Sequence, residues 1–227
     1  MIRPRPRYHE LLLKRRLGSR TAAQVASSFS PQDILDLQVW ATLAWFFPQL
    51  LRDDEVLHSL VTKDHGFTEA DKRAMLDRQR EVMAAIIPMY RGLQDSGCAE
   101  LTISPFYHPI LPLLCKMERA REALPNLPMP RATADLSADA RTQVTRAVDA
   151  YRQFFGRAPR GMWPSEGSVS PEVPPLVAQA GIRWIATDET ILCRSLGCTL
   201  HRDNHGRLQE WQTLYQPYWT QFPNADC

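Results

Sequence analysis

From Gly161 to Ser170 the chain reads Gly-Met-Trp-Pro-Ser-Glu-Gly-Ser-Val-Ser. Apolar Met162 and Trp163 mark the end of a short buried strand, and Pro164 stops it, because proline has no N–H to give to a ladder. Glu166 falls just past that stop. Ser168 and Ser170 are placed to cap a helix opened by Pro171 and Glu172. A carboxylate at the C-terminal end of a strand, beside a tryptophan, is where an α/β barrel carries catalytic groups. The same carboxylate also fits a capping role in a first helical turn. Local pattern alone leaves both readings open.

Outward from this stretch the chain alternates helix and strand. Upstream, residues 135–155 carry Ala138, Val144, Ala147, Val148, Tyr151 and Phe154 at helical spacing. Before them, 99–104 alternates polar and apolar residues with Thr102 and Ile103 β-branched, which predicts a strand ended by Pro105. Downstream, a helix over 172–180 closes at Gly181, and 182–187 predicts a buried strand with Asp188 and Glu189 at its exit. A further strand is expected over 208–214. Strands separated by helix-length crossovers predict parallel βα units. The first half is helical. Ser30-Pro31 opens a helix with Ile34, Leu35, Leu37, Val39, Trp40, Leu43, Ala44 and Phe47 as its apolar stripe. Another helix is expected over 53–62. A long helix over 68–93 holds Met75, Leu76, Val82, Met83, Ile86 and Ile87 inside, with Pro88 a possible kink.

Composition sets bounds. The 227 residues are 44% hydrophobic and 23% charged with a net charge of +2, which suits a globular domain and does not suggest a polyanion-binding protein. No apolar run reaches the roughly 18–20 residues of a membrane span. Seven of the first 20 residues are Lys or Arg against one acid, Glu10; residues 1–30 read as a basic arm of weak helical potential, and residues 31–227 as the folded domain. The opening Met1–Arg7 has no apolar signal segment. The five cysteines, Cys98, Cys115, Cys193, Cys198 and Cys227, match no metal or redox spacing and read as reduced thiols of a cytoplasmic protein.

Each predicted strand ends in a polar cluster: Tyr107 and His108, then Glu166, then Asp188 and Glu189. In a parallel sheet these exits share one edge and converge. Two carboxylates on such an edge suit glycoside hydrolysis, one as nucleophile or base and one as acid, and Trp163 offers a flat apolar face for a sugar ring. His108 fits a substrate donor, an acid–base group, a metal ligand or a structural role. Asp188 and Glu189 equally fit a capping or surface pair. His201 and His205 fall in a turn and lack further metal-type partners nearby. No phosphate loop or nucleophile elbow is present.

Four segments, Asp36–Trp40 with Leu43–Phe46, Glu100–Pro112, Gly161–Ser170 and Trp184–Glu189, together resemble glycoside hydrolase family 57 across most of residues 8–200. The resemblance implies an α/β fold, an incomplete (β/α)7 barrel (distorted and TIM-like) with a helix-rich N-terminal half. It implies retaining chemistry on α-glucans such as starch, pullulan or glycogen-like chains, without a cofactor or metal and without nucleic-acid or membrane partners. The family's nucleophile falls on Glu166, and Trp163, Glu100, Tyr107 and His108 match substrate-binding positions.

Departures from the family pattern shape the expectation. No His-Gln-Pro tripeptide occurs, and no residue matches the family's acid/base aspartate; the chain stops at Cys227, 61 positions after Glu166. The expectation is therefore a truncated catalytic domain of weak or no activity by itself. The rival readings are a non-catalytic carbohydrate-binding remnant and a metal-dependent deacetylase, the latter requiring an Asp and two His around one ion.

Overall fold

The structure, a computed structural model, describes residues 5–16, 18–131 and 134–220. Residues 1–4 of the basic stretch and Cys227 lie outside the described residues. The chain divides into two units, Met1–Met89 and Tyr90–Cys227.

The first unit holds α1 (Pro6–Lys14), α2 (Ala22–Ala26), α3 (Pro31–Leu43), α4 (Pro48–Asp53), α5 (Glu55–Lys63) and most of α6 (Glu69–Asp95). Ser30 opens α3 by a capping box: its side chain accepts from the Asp33 N–H, and Asp33 accepts from the Ser30 N–H. Val39, Trp40 and Leu43 from α3 pack with Phe46, Leu51, Leu57, Leu60, Phe67 and Met75 in one buried cluster. The Trp40 indole N–H donates to the Asp64 carbonyl at 2.7 Å, so the largest ring of this core leaves no polar atom unpaired. Pro88 lies inside α6 without ending it.

Three expectations for this unit are corrected. Ile34 and Phe47 from the α3 stripe are exposed, as are Met83, Ile86 and Ile87 of α6, because each apolar run is broader than the face its neighbours cover. Residues 6–14, expected to have weak helical potential, form α1. A nine-residue helix is marginal by itself, and two tertiary features hold this one. Leu11 is buried. Arg7 donates from Nε to Asp36 at 2.8 Å and from Nη2 to Asp33 at 2.7 Å.

The second unit holds α7 (Leu111–Cys115), α8 (Ala120–Ala123), α9 (Ser137–Phe155), β1 (Gly161–Met162), α10 (Val173–Gln179), β2 (Trp184–Ile185), α11 (Glu189–Leu196) and α12 (Trp211–Leu214). β1 pairs in parallel with β2, Gly161 opposite Trp184 and Met162 opposite Ile185. On the other side of β1, Ile103 makes a parallel bridge to Met162, with the Ile103 N–H donating to Gly161 O at 3.2 Å and the Trp163 N–H to Ile103 O at 2.8 Å. Three strand segments thus lie in the order 103, 162, 185, all parallel, as the βα pattern predicts. Among the described residues this is not a closed barrel. Residues 208–214 are not a strand: Leu208 makes one antiparallel bridge to Arg202, and Trp211–Leu214 is helical.

One face of the three strands is buried. Met162 and Ile182 join Leu111, Ala140, Val144, Val148, Val173, Leu176 and Val177 from α7, α9 and α10, with Ile103 and Ile185 packed against them. The helices α7, α9 and α10 supply the cover on that face. On the register of Gly161 and Trp184 the packing is of another kind. A Cβ added at Gly161 would lie 2.2 Å from the Trp184 ring, so the strand is glycine there to let the indole lie across it. Trp184, expected to be buried, is partly exposed. The Gly161→Ala variant is expected to displace Trp184, break its bond to Glu100 and lose about 1–3 kcal/mol of stability, an overpacking penalty read by urea unfolding. No side chain caps α10, contrary to the role expected of Ser168 and Ser170. That segment is held instead by Arg119, which donates to Glu172 at 2.5 Å and, with burial opposing, lowers the Glu172 pKa to about 2. Among the described residues no helix is long and apolar enough to cross a membrane.

Candidate active site

The exits of the three strand segments build one cluster. After β1, Trp163 leads to buried Pro164, and Ser165–Gly167 turn back as a short 3-10 segment. Glu166 sits in it at φ 56°, ψ 23°, a left-handed conformation that costs a non-glycine residue roughly 1–2 kcal/mol. Gly167 continues the turn at φ 64°, and a Cβ there would lie 3.0 Å from the Trp163 ring. The Trp163 indole therefore lies against the Gly167 backbone. From the third strand exit, the Thr187 hydroxyl donates to Gly167 O at 2.7 Å, tying this turn to the segment after β2.

The first strand exit supplies His108. The His108 N–H donates to Pro105 O at 2.8 Å, closing a tight turn, and His108 has φ 57°. Gln143, from the middle of α9, staples the loop: its carbonyl accepts from the Phe106 N–H at 3.2 Å and its side chain from the Tyr107 N–H at 2.9 Å. The Arg146 guanidinium lies 4.6 Å from the Phe106 ring centroid and 5.2 Å from that of Tyr107, and the two rings meet edge to face. Sequence reasoning missed Gln143 and Arg146, since each works from more than 35 positions away.

This folding brings His108 Nδ1 within 3.9 Å of Glu166 Oε1. The two side chains belong to two of the three described non-glycine residues with positive φ, Asp64 being the third. Such strain persists where surrounding structure enforces it, and it gathers at functional sites. The Glu166 side chain is 73% exposed. The carboxylate is thus open to a ligand, and no lid of described residues excludes water from it.

The remaining predicted residues divide. Trp163 and Tyr107 are exposed aromatic faces within this loop cluster. Glu100 is not beside Glu166: it lies before the first strand segment, accepts from the Trp184 indole N–H at 3.0 Å and stands 3.8 Å from Arg160 Nη1. Asp188 caps α11 by accepting from the Ile191 N–H. Glu189 takes both arms of Arg202 at 2.8 and 2.6 Å, which lowers its pKa. The capping-and-surface-pair reading holds for these two, and the expected convergence reduces to His108 and Glu166. His201 is occupied by Glu210. No three His, Cys, Asp or Glu side chains gather as a metal site among the described residues, so the His and Asp set that a metal deacetylase needs is not assembled there.

Because Glu166 holds a strained conformation, Glu166→Gly is expected to fold about 0.5–1 kcal/mol more stably than the parent, the left-handed penalty partly offset by glycine's greater chain entropy. Thermal and urea unfolding of the variant read this difference.

The model of glycosyl hydrolase family 57 matches residues 39–225. Among solved structures, the α-amylase AmyC from Thermotoga maritima is similar at 14% identity and a TM-score of 0.40, over 87% of this chain and 34% of that one. A family 57-type branching enzyme from the hyperthermophilic archaeon Pyrococcus horikoshii is similar at 18% identity and a TM-score of 0.40, over 78% of this chain and 32% of that one. This chain therefore spans about a third of the length of either. No curated protein matches.

Proposed function

The chain belongs to glycosyl hydrolase family 57, and from that membership we propose that it carries the nucleophile of a retaining glycoside hydrolase or transglycosylase acting on α-glucans, with Glu166 as that nucleophile. The observation that carries the reading is the placement of Glu166: at a parallel strand's C-terminal exit, in a strained turn, 3.9 Å from His108. The carboxylate attacks the anomeric carbon as the glycosidic C–O bond breaks, giving a covalent glycosyl-enzyme that water or a second sugar hydroxyl then resolves. His108 offers a ring N–H to a sugar hydroxyl beside the reacting carbon. Trp163 and Tyr107 supply faces on which sugar rings stack. Glu100, engaged with Trp184 and Arg160 ahead of the first strand segment, stays outside this constellation. In this reading the three parallel segments are strands of a (β/α)7 barrel.

We assign no general acid. Asp188 and Glu189, the carboxylates at the neighbouring strand exit, are engaged with the α11 N-terminus and Arg202. A positioned acid contributes roughly 10²–10⁴-fold to departure of a sugar leaving group, so the chain by itself turns over starch weakly. A leaving group that departs without a proton bypasses this deficit. The purified chain is expected to hydrolyse α-maltosyl fluoride while releasing little or no reducing sugar from soluble starch. Equal slowness on both substrates argues against a competent nucleophile.

A second reading is favoured by the exposure of Glu166: a carbohydrate-binding remnant that holds maltooligosaccharides on Trp163 and Tyr107 without cleaving them. Calorimetric binding that is unchanged in Glu166→Gln and lost in Trp163→Ala, together with no fluoride release, selects that reading.

A further inference from the structure

The C-terminus of α11 places two cysteines in a relation that the candidate active site does not use. Gly197 ends the helix at φ 64°, and its N–H reaches Cys193 O. The Cys198 N–H also donates to Cys193 O, at 3.0 Å. This six-residue closure is the hydrogen bond of a Schellman turn, with Cys193 three positions before Leu196, the last residue of α11, and Cys198 two beyond it. Those are the two positions whose side chains characteristically touch across such a turn. Both line one open surface pocket with Glu189, Arg194, Thr199 and Leu200, so a small oxidant reaches them. A disulfide needs β-carbons about 3.5–4.5 Å apart, and the backbone closure from Cys198 N–H to Cys193 O brings the two residues together for that approach.

We propose that Cys193 and Cys198 form an oxidisable dithiol, a modification site at which a low-molecular-weight disulfide such as glutathione disulfide closes an intramolecular bridge across the end of α11. Burial raises the Cys193 pKa, which disfavours Cys193 as the first attacking thiolate. The Cys198 thiolate displaces one glutathione thiolate from glutathione disulfide, leaving a mixed disulfide on Cys198. The Cys193 thiol gives up its proton and attacks the Cys198 sulfur, forming the Cys193–Cys198 bond and releasing the second glutathione. Two cysteine thiols are oxidised, and one glutathione disulfide is reduced to two thiols. The bridge fixes the turn that carries the chain from α11 toward Arg202, the partner of Glu189.

The full chain, reduced and then equilibrated with glutathione disulfide, tests this by peptide mapping. Trypsin cuts after Arg183, Arg194 and Arg202, so the two cysteines fall in separate peptides, 184–194 and 195–202. The expected product is those two peptides joined, about tenfold in excess of any other internal disulfide, because the closed turn between them gives the pair a far higher effective concentration. Dithiothreitol releases them. In Cys193→Ser the joined product is absent and Cys198 carries glutathione instead. The proposal is overturned if both cysteines stay free, if each carries its own glutathione, or if bridges to Cys98 or Cys115 form to the same extent.

Discussion

Glu166→Gln is expected to lower the rate of α-maltosyl fluoride hydrolysis by at least roughly 10³-fold, with its melting curve unchanged from the parent. The amide keeps the size and hydrogen-bonding reach of the carboxylate but cannot form the glycosyl ester, and losing a covalent nucleophile has effects of this order or larger. Folding is spared because the side chain is exposed and its partner among the described residues is the half-exposed His108, 3.9 Å away. Even a full ion pair at so exposed a position is worth at most about 1 kcal/mol. Against Glu166→Gly, which is expected to be equally inactive and more stable, the pair separates the chemistry of the side chain from the strain of its backbone. Stability spent at a functional position in this way is a common trade.

The second large effect concerns stability. Arg7→Ala is expected to cost about 3–5 kcal/mol in the first unit, the range for removing one partner of a buried charge pair. Asp36 is 1% exposed and accepts from Arg7 Nε at 2.8 Å, Gln32 Nε2 at 2.8 Å and the Phe67 N–H at 3.0 Å. Burial by itself pushes the Asp36 pKa up, but the hydrogen bonds from Arg7, Gln32 and Phe67 outweigh it and the net shift is downward. Asp33 is lowered by the hydrogen bond from Lys14, the Ser30 N–H and Arg7, against the opposing effect of burial. A carboxylate with a depressed pKa gives stability that is fully present above its unfolded pKa, about 3.9 for Asp. That stability is lost as pH falls through the folded value, because the unfolded chain binds the proton first. Glu172, at about 2, adds a loss between about pH 4.5 and 2 in the second unit. The parent should therefore lose stability steeply below about pH 4. In Arg7→Ala that acid-side slope should be shallower and the plateau lower. Urea midpoints collected from pH 7 to pH 3 measure both.

How much of this was legible in the sequence follows from the range of each interaction. The helices α3, α6, α9 and α10 rest on local periodicity and are visible there, and the parallel sense of the three strand segments follows from the helix-length crossovers between them. Pro164 and Pro105 marked the strand ends for a local reason, the missing N–H. The helix α1 was hidden because its support comes from Asp33 and Asp36, 26 and 29 positions away, while its own Arg-Pro composition argues for an open arm. The exposure of Trp184 was hidden for a similar reason: the indole lies over Gly161 and bonds Glu100, 84 positions earlier, and a strand pattern does not show which face is covered. At the site, the sequence placed Glu166 and His108 at strand exits, but the left-handed turn that presents Glu166 depends on Trp163 lying on Gly167 and on Thr187 reaching back. Asp188 and Glu189 looked equivalent to Glu166 by position. Only the α11 cap and Arg202 distinguish them.

The most direct test of Glu166 as the glycosyl acceptor is covalent trapping. A 5-fluoro α-maltosyl fluoride supplies a leaving group that needs no proton, and its second fluorine slows hydrolysis of the ester by destabilising the oxocarbenium-like transition state. Mass analysis of the protein after incubation, followed by peptide mapping, locates the label. The account predicts one maltosyl adduct per chain, on the peptide containing Glu166, absent from Glu166→Gln. An adduct on any other residue, or an unlabelled protein under conditions where it binds maltooligosaccharide, would contradict it.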